Sequence, residues 1–394
     1  MTLLRGITWG HVRGLGGLAA AAEDYGKVRP DVRVEWSTRS LQAFADEPLD
    51  ELARRFDLLY VDHPSIGHAV ARDCLAPLDE LLDGAFLDEH LHQSVGRSAE
   101  SYAWQGHTWA LATDAAAQVA CYREDLLERA ELAIPGTWDE VIRAADDLRR
   151  HGMWMAMPAI PVDSICVFLA VCVTIGEEPL IRDDVVVSRD TGRSSLEVIR
   201  AVIERSHPAS LDWNPPGLLE HMASRDDVAY CPLAFGYSNY ARPGFRPRIV
   251  RAARGPSGVD GLPRGTLGGA GLALSRHTQA VSEAVGYARF LADPLTQRTV
   301  YFEGGGQPGH RGAWVDEGVN VAAGNFFLDT LAALDTAYLR PRHDGFLGFQ
   351  DAAGQAIHRW LRMGGEADRV LDAIDSAHRD GLQRSQAVAD TGSS

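Results

Sequence analysis

Residues 104–148, WQGHTWALATDAAAQVACYREDLLERAELAIPGTWDEVIRAADDL, restrict the possible folds more than any other stretch of the chain. Gly106 marks a turn between two short extended runs. Residues 108–112 read as a strand, Asp114 as part of a small-residue loop, and residues 119–122 as a second strand. Leu126, Leu127 and Ala130 share one face of a helix over 124–132. Pro135 and Gly136 break the chain. Thr137 is then an N-cap whose hydroxyl accepts from a free backbone N–H, and Glu140, three residues on, completes a capping box. Trp138, Val141, Ile142, Ala145 and Leu148 make the apolar face of the helix that follows.

The flanking chain repeats this alternation. Residues 6–10 are a strand, 15–25 a helix and 32–36 a strand, a βαβ opening that predicts parallel pairing. Residues 56–61 (FDLLYV) are nearly all apolar, as in a strand covered on both faces. Further strands are expected over 153–158, 185–187, 227–233 and 265–274. Helices are expected over 163–176, 195–204, 278–291, 344–361 and 366–382, with a frayed polar tail from Ser385. At 394 residues, two lobes are expected.

The formal net charge of −16 argues against nucleic-acid binding, which needs a basic face. No run is long enough to span a membrane. Residues 15–22 are apolar, but Trp9, Gly10 and His11 interrupt the approach, so a helix is expected there and not a secretory signal. The protein is extracytoplasmic if a signal was removed before the numbering begins, and cytoplasmic otherwise. Cys74, Cys121, Cys166, Cys172 and Cys231 form no C-x-x-C and no even set, so no disulfide framework is expected.

Three pieces of the central stretch, Trp109-Ala110-Leu111, residues 122–126 (YREDL) and residues 136–140 (GTWDE), resemble the crossing segment of family 1 solute-binding proteins of ABC importers. Ala112 stands where that family has Pro. Residues 74–81 (CLAPLDEL) resemble its G-x-L-x-P-L-D-x-L, with Cys74 in place of Gly, and residues 268–308 resemble its glycine-rich return. The resemblance implies a two-lobed periplasmic-binding-protein-like α/β fold. Each lobe is a mainly parallel sheet flanked by helices, and hinge strands join the two. It implies lobe 1 over 1–112, lobe 2 over 113–264, a return to lobe 1 over 265–312, and C-terminal helices over 313–394, mainly in lobe 2. It also implies a monomer that closes around a small polar ligand, a carbohydrate above all, and that works with the membrane subunits of an ABC importer if exported.

In open α/β sheets ligands lie beyond the carboxyl ends of strands. That rule selects Trp9, Gly10 and His11, then Ser37 and Thr38, then Asp62 and His63, and Asp114 in the crossing. The resemblance adds Trp154, Tyr237, Gly269, Pro308 and Arg311. Flat aromatic faces, carboxylates and arginines are the groups that hold sugars. The competing structural uses are core packing for Trp9 and Trp154 and helix capping for Asp62 and Asp114.

No cofactor motif is present: the glycines of 265–271 lack both the P-loop Lys-Ser/Thr and the dinucleotide fingerprint. His63 with His68, and His90 with His92, read as surface histidines, with no third ligand at zinc spacing and no metal expected. The alternative is a cytosolic enzyme on the same scaffold, of thiaminase or pyrimidine-synthesising type. It would use Cys121 as nucleophile with His107 and Asp114 as partners. Against it, a buried strand cysteine is the simpler reading of Cys121.

Overall fold

The computed structural model describes residues 1–41, 43 and 48–391, with 387–391 as backbone alone. The strands are β1 Thr2–Trp9, β2 Val32–Arg39, β3 Leu58–Val61, β4 Ala103–Trp104, β5 His107–Thr108, β6 Leu111–Tyr122, β7 Trp154–Met155, β8 Val228–Phe235, β9 Arg251–Ala253 and β10 Leu267–Leu274. All but the β4–β5 hairpin join one continuous sheet in the order β2-β1-β3-β10-β6-β8-β7, with β9 also paired to β6.

β1 pairs in parallel with β2 and β3, and β7 in parallel with β8. The antiparallel pairs lie where the chain passes between lobes: β10 with β3 and β6, and β6 with β8 and β9. β6 is shared. Its residues 111–117 pair with β10 and its residues 118–122 with β8 and β9. The first lobe is thus built on β2-β1-β3-β10 and the second on β8 and β7 with β9, while β6 is common to both.

Each lobe is a layered α/β unit. In the first, helices Gly17–Val28 and Val281–Ala292 cover one face through Leu18, Tyr25, Tyr287 and Leu291. Leu49, Leu52, Ile66 and Ala69 pack on the other face. In the second, helix Pro161–Ile175 is apolar on nearly every side and buried, as a helix enclosed by others must be. Helices Trp138–Arg150, Arg189–Arg205, Phe346–Met363 and Ala367–Thr391 contribute to the same core. The cap read at Thr137 forms: its Oγ1 accepts from Glu140 N at 3.3 Å, while Glu140 Oε2 accepts from Gly136 N at 2.7 Å.

The structure departs from the sequence reading in several places. The expected strand–loop–strand over 108–122 is a single 12-residue strand from Leu111, and Asp114 sits inside it. Both faces of β6 are buried by small residues, so no alternation marks where the sheet continues. The strand is interrupted only by irregularities in pairing, one with β10 beside Asp114 and one with β8 between Val119 and Cys121. Residues 185–187 form no strand, because Val186 N donates to Asp375 Oδ1 at 2.9 Å and not to a ladder. The final helix continues through Ser385 to Thr391, and residues 392–394 of the expected tail lie outside the described residues.

Candidate functional site

β1 ends at Trp9, and the wide turn that follows sends one arginine inward. His11, with extended φ of −138°, caps this turn: its Nδ1 accepts from Arg13 N at 3.0 Å. Arg13 is only 4% exposed. Its Nε donates to Asp114 Oδ2 at 2.9 Å, its Nη2 pairs with Asp114 Oδ1, and its Nη1 donates to the Gly236 carbonyl of the second lobe at 2.9 Å. The guanidinium carbon lies 4.7 Å from the centre of the Tyr237 ring. His11 meets the same ring edge-on at 4.8 Å. Trp9 stacks on Tyr60 at 5.9 Å.

Asp114 is held in place by β10. Gly269, paired with the next residue, Ala115, has φ +110°, and a Cβ there would stand 2.5 Å from the Asp114 carbonyl oxygen. Only glycine permits this conformation and this approach together. On the other side Pro308 bridges to Asp114, and Gln307 ties the crossing together. Gln307 Nε2 donates to Ala115 O at 2.8 Å, and its Oε1 accepts from Ser238 N at 2.9 Å.

A second group lies beyond β3. Asp62 stands at a helix N-cap position but makes no capping bond. Its carboxylate instead receives Arg340, with Nη2 2.9 Å from Oδ2. Arg340 Nη1 donates to Gln350 Oε1 at 2.8 Å. Against the cost of burial, Arg340 and His63 hold the Asp62 carboxyl at about 2. Asp163, in the first turn of helix Pro161–Ile175, is buried near Arg340, and its Oδ2 has no hydrogen-bond partner. Ser238 Oγ and Asn239 Oδ1, next to Tyr237, are likewise buried without partners.

Burial governs the protonation of the cleft. It lowers His11 and His63 to about 4, so both rings are neutral at pH 7. It lifts the Tyr237 phenol to about 12, against the pull of Arg13 and a hydrogen bond with Trp9. It lifts the Asp114 carboxyl against the pull of Arg13.

Of the residues selected from sequence, the structure therefore brings together Trp9, His11, Asp114, Tyr237, Gly269 and Pro308, with Asp62 and His63 beside Arg340. Five lie elsewhere. Gly10, Ser37 and Thr38 are at the exposed ends of β1 and β2. Arg311 forms a two-pronged pair with Asp335, at 2.7 Å through each nitrogen. Trp154 pairs with Val228, at the end of β8 opposite Phe235. There Arg149 lies 3.3 Å over its ring and His207 meets its edge at 5.7 Å. The surface reading of His63 is overturned, since its side chain is fully buried. His90 is also drawn inward, its Nε2 accepting from Ala112 N at 3.0 Å.

Sequence reasoning missed Arg13, Asp163 and Arg340. The usable signal was a lone charge within a short-side-chain or apolar run, in GHVRGLGG and PVDSICVFL. Arg340 carries no such signal.

The thiol constellation of the enzyme alternative does not assemble. Burial pushes Cys121 up to about 12, and it faces Cys231 across the β6–β8 pair. His107 Nδ1 is 2.9 Å from Asp79 Oδ2, and Asp114 is committed to Arg13. Near Trp154, His207, His221 and Asp227 gather their ligand-type atoms within 4.8 Å of one another. His207 Nδ1, however, accepts from Ala209 N at 3.2 Å. The ring proton then sits on Nε2, the nitrogen facing Asp227, where a metal ion would need a lone pair.

Residues 11–152 match the family described as bacterial extracellular solute-binding protein. No curated protein matches the chain. Among solved structures, the maltose-bound MalE3 of T. maritima superposes with a TM-score of 0.82 at 18% identity, covering 96% of this chain and 99% of that one. A solute-binding protein of an ABC transporter from Agrobacterium radiobacter K84, in complex with ribitol, gives 0.81 at 18%, covering 96% and 98%. The GacH receptor of Streptomyces glaucescens, solved unliganded and with acarbose, gives 0.78 at 16%, covering 97% and 99%. Residues 11–152 thus resemble the bacterial extracellular solute-binding proteins, and the chain as a whole has the two-lobed fold of these solved structures.

Proposed function

We propose that the protein captures a small polar ligand, a sugar or polyol, between its lobes and presents it to the membrane subunits of an ABC importer, acting as an extracytoplasmic monomer. The observation that carries this reading is the convergence at the strand crossing. Aromatic and charged groups of the first lobe (Trp9, His11, Arg13, Asp62) meet those of the second (Tyr237, Arg340), with Asp114 on the shared strand. In this reading Arg340 holds the Asp62 carboxylate ionised, and Arg340 and Arg13 orient Asp62 and Asp114 toward ligand hydroxyls. Tyr237 offers its ring to the sugar carbons, and Trp9, packed between Tyr60 and Gly14, supports the wall behind it. The neutral rings of His11 and His63 supply single donors or acceptors.

Closure follows from contact with both lobes. A ligand that bonds groups on each side favours the closed arrangement by the difference in its affinity for the two states. The maltose, ribitol and acarbose bound by proteins of this fold support a carbohydrate or polyol here. Thermal-shift screening of mono-, di- and oligosaccharides and sugar alcohols, followed by titration calorimetry of the hits, tests the reading. The cognate compound raises the Tm by mass action. A panel in which no sugar or polyol shifts the Tm, while a compound of another class does, removes the carbohydrate assignment.

A further inference from the structure

The polar groups around the cleft are not all partnered. Arg13 is engaged by Asp114 and Arg340 by Asp62. That leaves Asp163, 4% exposed, with an oxygen that has no hydrogen-bond partner. Arg340 acts on it only through space: its Nη1 and Nη2 bond Asp62, Gln350, the Leu267 carbonyl and, at 3.9 Å, Cys166 Sγ, and its Nε has no hydrogen-bond partner. The other titratable groups facing Asp163 are Tyr237, Cys166 and Cys231, and all three are neutral at pH 7. Asp163 stands buried in the first turn of helix Pro161–Ile175, within electrostatic reach of Tyr237 and Arg340.

A buried carboxylate without a partner is costly and persists where something completes it. Capping does not explain it, because helix Pro161–Ile175 has no side-chain cap bond. Packing does not either, since an apolar residue would fill the same space at lower cost in a helix that is otherwise apolar. What is missing is a hydrogen-bond partner for this oxygen.

We propose that the ligand carries a protonated amine, as an amino sugar or amino-polyol does, and that Asp163 is its counter-ion. This rests on the reading of the cleft as a sugar-binding site and narrows it. The amine replaces the hydrogen-bond partner Asp163 lacks, and the paired Asp62 and Asp114 are left to the hydroxyls. Because the empty-handed carboxyl holds a proton near neutral pH, amine binding displaces that proton into solution.

The test uses matched pairs on the purified full chain at pH 7: glucosamine and glucose, galactosamine and galactose, glucamine and sorbitol, chitosan disaccharide and cellobiose. Calorimetry is run in two buffers of different ionisation enthalpy. In the expected result one amine binds about tenfold or more tighter than its neutral partner, the worth of one charge-assisted hydrogen bond. Heats in the two buffers then differ by the release of a proton, and Asp163→Asn abolishes the preference. If Asp163→Asn does not fold, the buffer comparison on the unaltered protein decides alone. Neutral members that bind as tightly as their amines, without proton release, overturn the proposal and leave the sugar-binding reading standing. Silence from both members of every pair overturns both.

Discussion

Arg340 fastens Asp62 at the end of β3 to the base of the second lobe, with Nη2 2.9 Å from the Asp62 carboxylate and Nη1 2.8 Å from Gln350. One guanidinium thus spans both walls of the cleft, and its removal strands a carboxylate. Arg340→Met is expected to cost about 3–5 kcal/mol, the usual penalty for orphaning one member of a buried pair. Denaturant unfolding measures it. Asp62 sits at about 2 when folded, below its unfolded value of about 4. Its contribution is therefore complete above pH 4 and lost as the pH falls from 4 toward 2. In Arg340→Met that acid-sensitive loss shrinks, and an unchanged acid limb would show that the pair does not hold Asp62 down.

Asp163 has the opposite sign. Burial pushes its carboxyl up to about 8. The folded state therefore keeps a proton that the unfolded chain gives up near pH 4, and the unliganded protein loses stability as the pH rises from 4 to 8. Asp163→Asn flattens this slope and is the more stable of the two at pH 8. Parallel melts from pH 5 to pH 8.5 read it directly. A constant gap between the two proteins across that range contradicts the assignment.

The aromatic groups separate by position. Tyr237→Ala is expected to weaken ligand binding by about tenfold or more, as truncation of a central aromatic anchor does. Trp154→Ala is expected to leave the Kd unchanged, because its partners are Arg149 and His207 at the far end of β8. Calorimetry on both variants, with circular dichroism to verify folding, gives the comparison. Equal losses would place Trp154 within reach of the ligand.

Cys121 is expected to resist iodoacetamide at pH 7–8.5 in the native protein, since burial holds its thiol near 12. Labelling appears only on unfolding, together with Cys166 and Cys172, which burial raises equally. Peptide mass spectrometry after a timed pulse provides the readout, and rapid selective labelling of Cys121 would reopen the thiol-enzyme reading.

Gly269→Ala tests the crossing itself. At φ +110°, with a Cβ 2.5 Å from the Asp114 carbonyl, the added methyl meets backbone that cannot turn aside. A loss of about 2 kcal/mol or more is expected from the strained conformation and the clash together. Thermal unfolding measures it, and a neutral result would mean that β10 can retreat from β6.

The layered α/β architecture is legible in the sequence because helix faces and buried strands leave different periodicities. Trp138, Val141, Ala145 and Leu148 mark one face of their helix, and residues 58–61 are apolar without alternation. β6 was misread because a strand covered on both sides by alanines has no period to follow. The rule of strand ends selected Trp9, His11 and Asp62, whose places depend on local chain direction, and Asp114, which the structure puts inside β6. It missed Arg340, whose place beside Asp62 is set by a contact 278 residues away in the chain. Arg311 and Trp154 came from motif position alone, and their side chains turn to nearer partners, Asp335 and Arg149.

The sharing of β6 by two ladders has a consequence for unfolding. Releasing either lobe strips hydrogen bonds from the strand that completes the other. The two halves are therefore expected to melt in a single calorimetric transition, with van't Hoff and calorimetric enthalpies in agreement, although each has its own core. The same sharing leaves no slack loop between them within β6. Any opening must be stored as elastic bending of paired backbone, so part of the energy gained on binding goes into setting a spring.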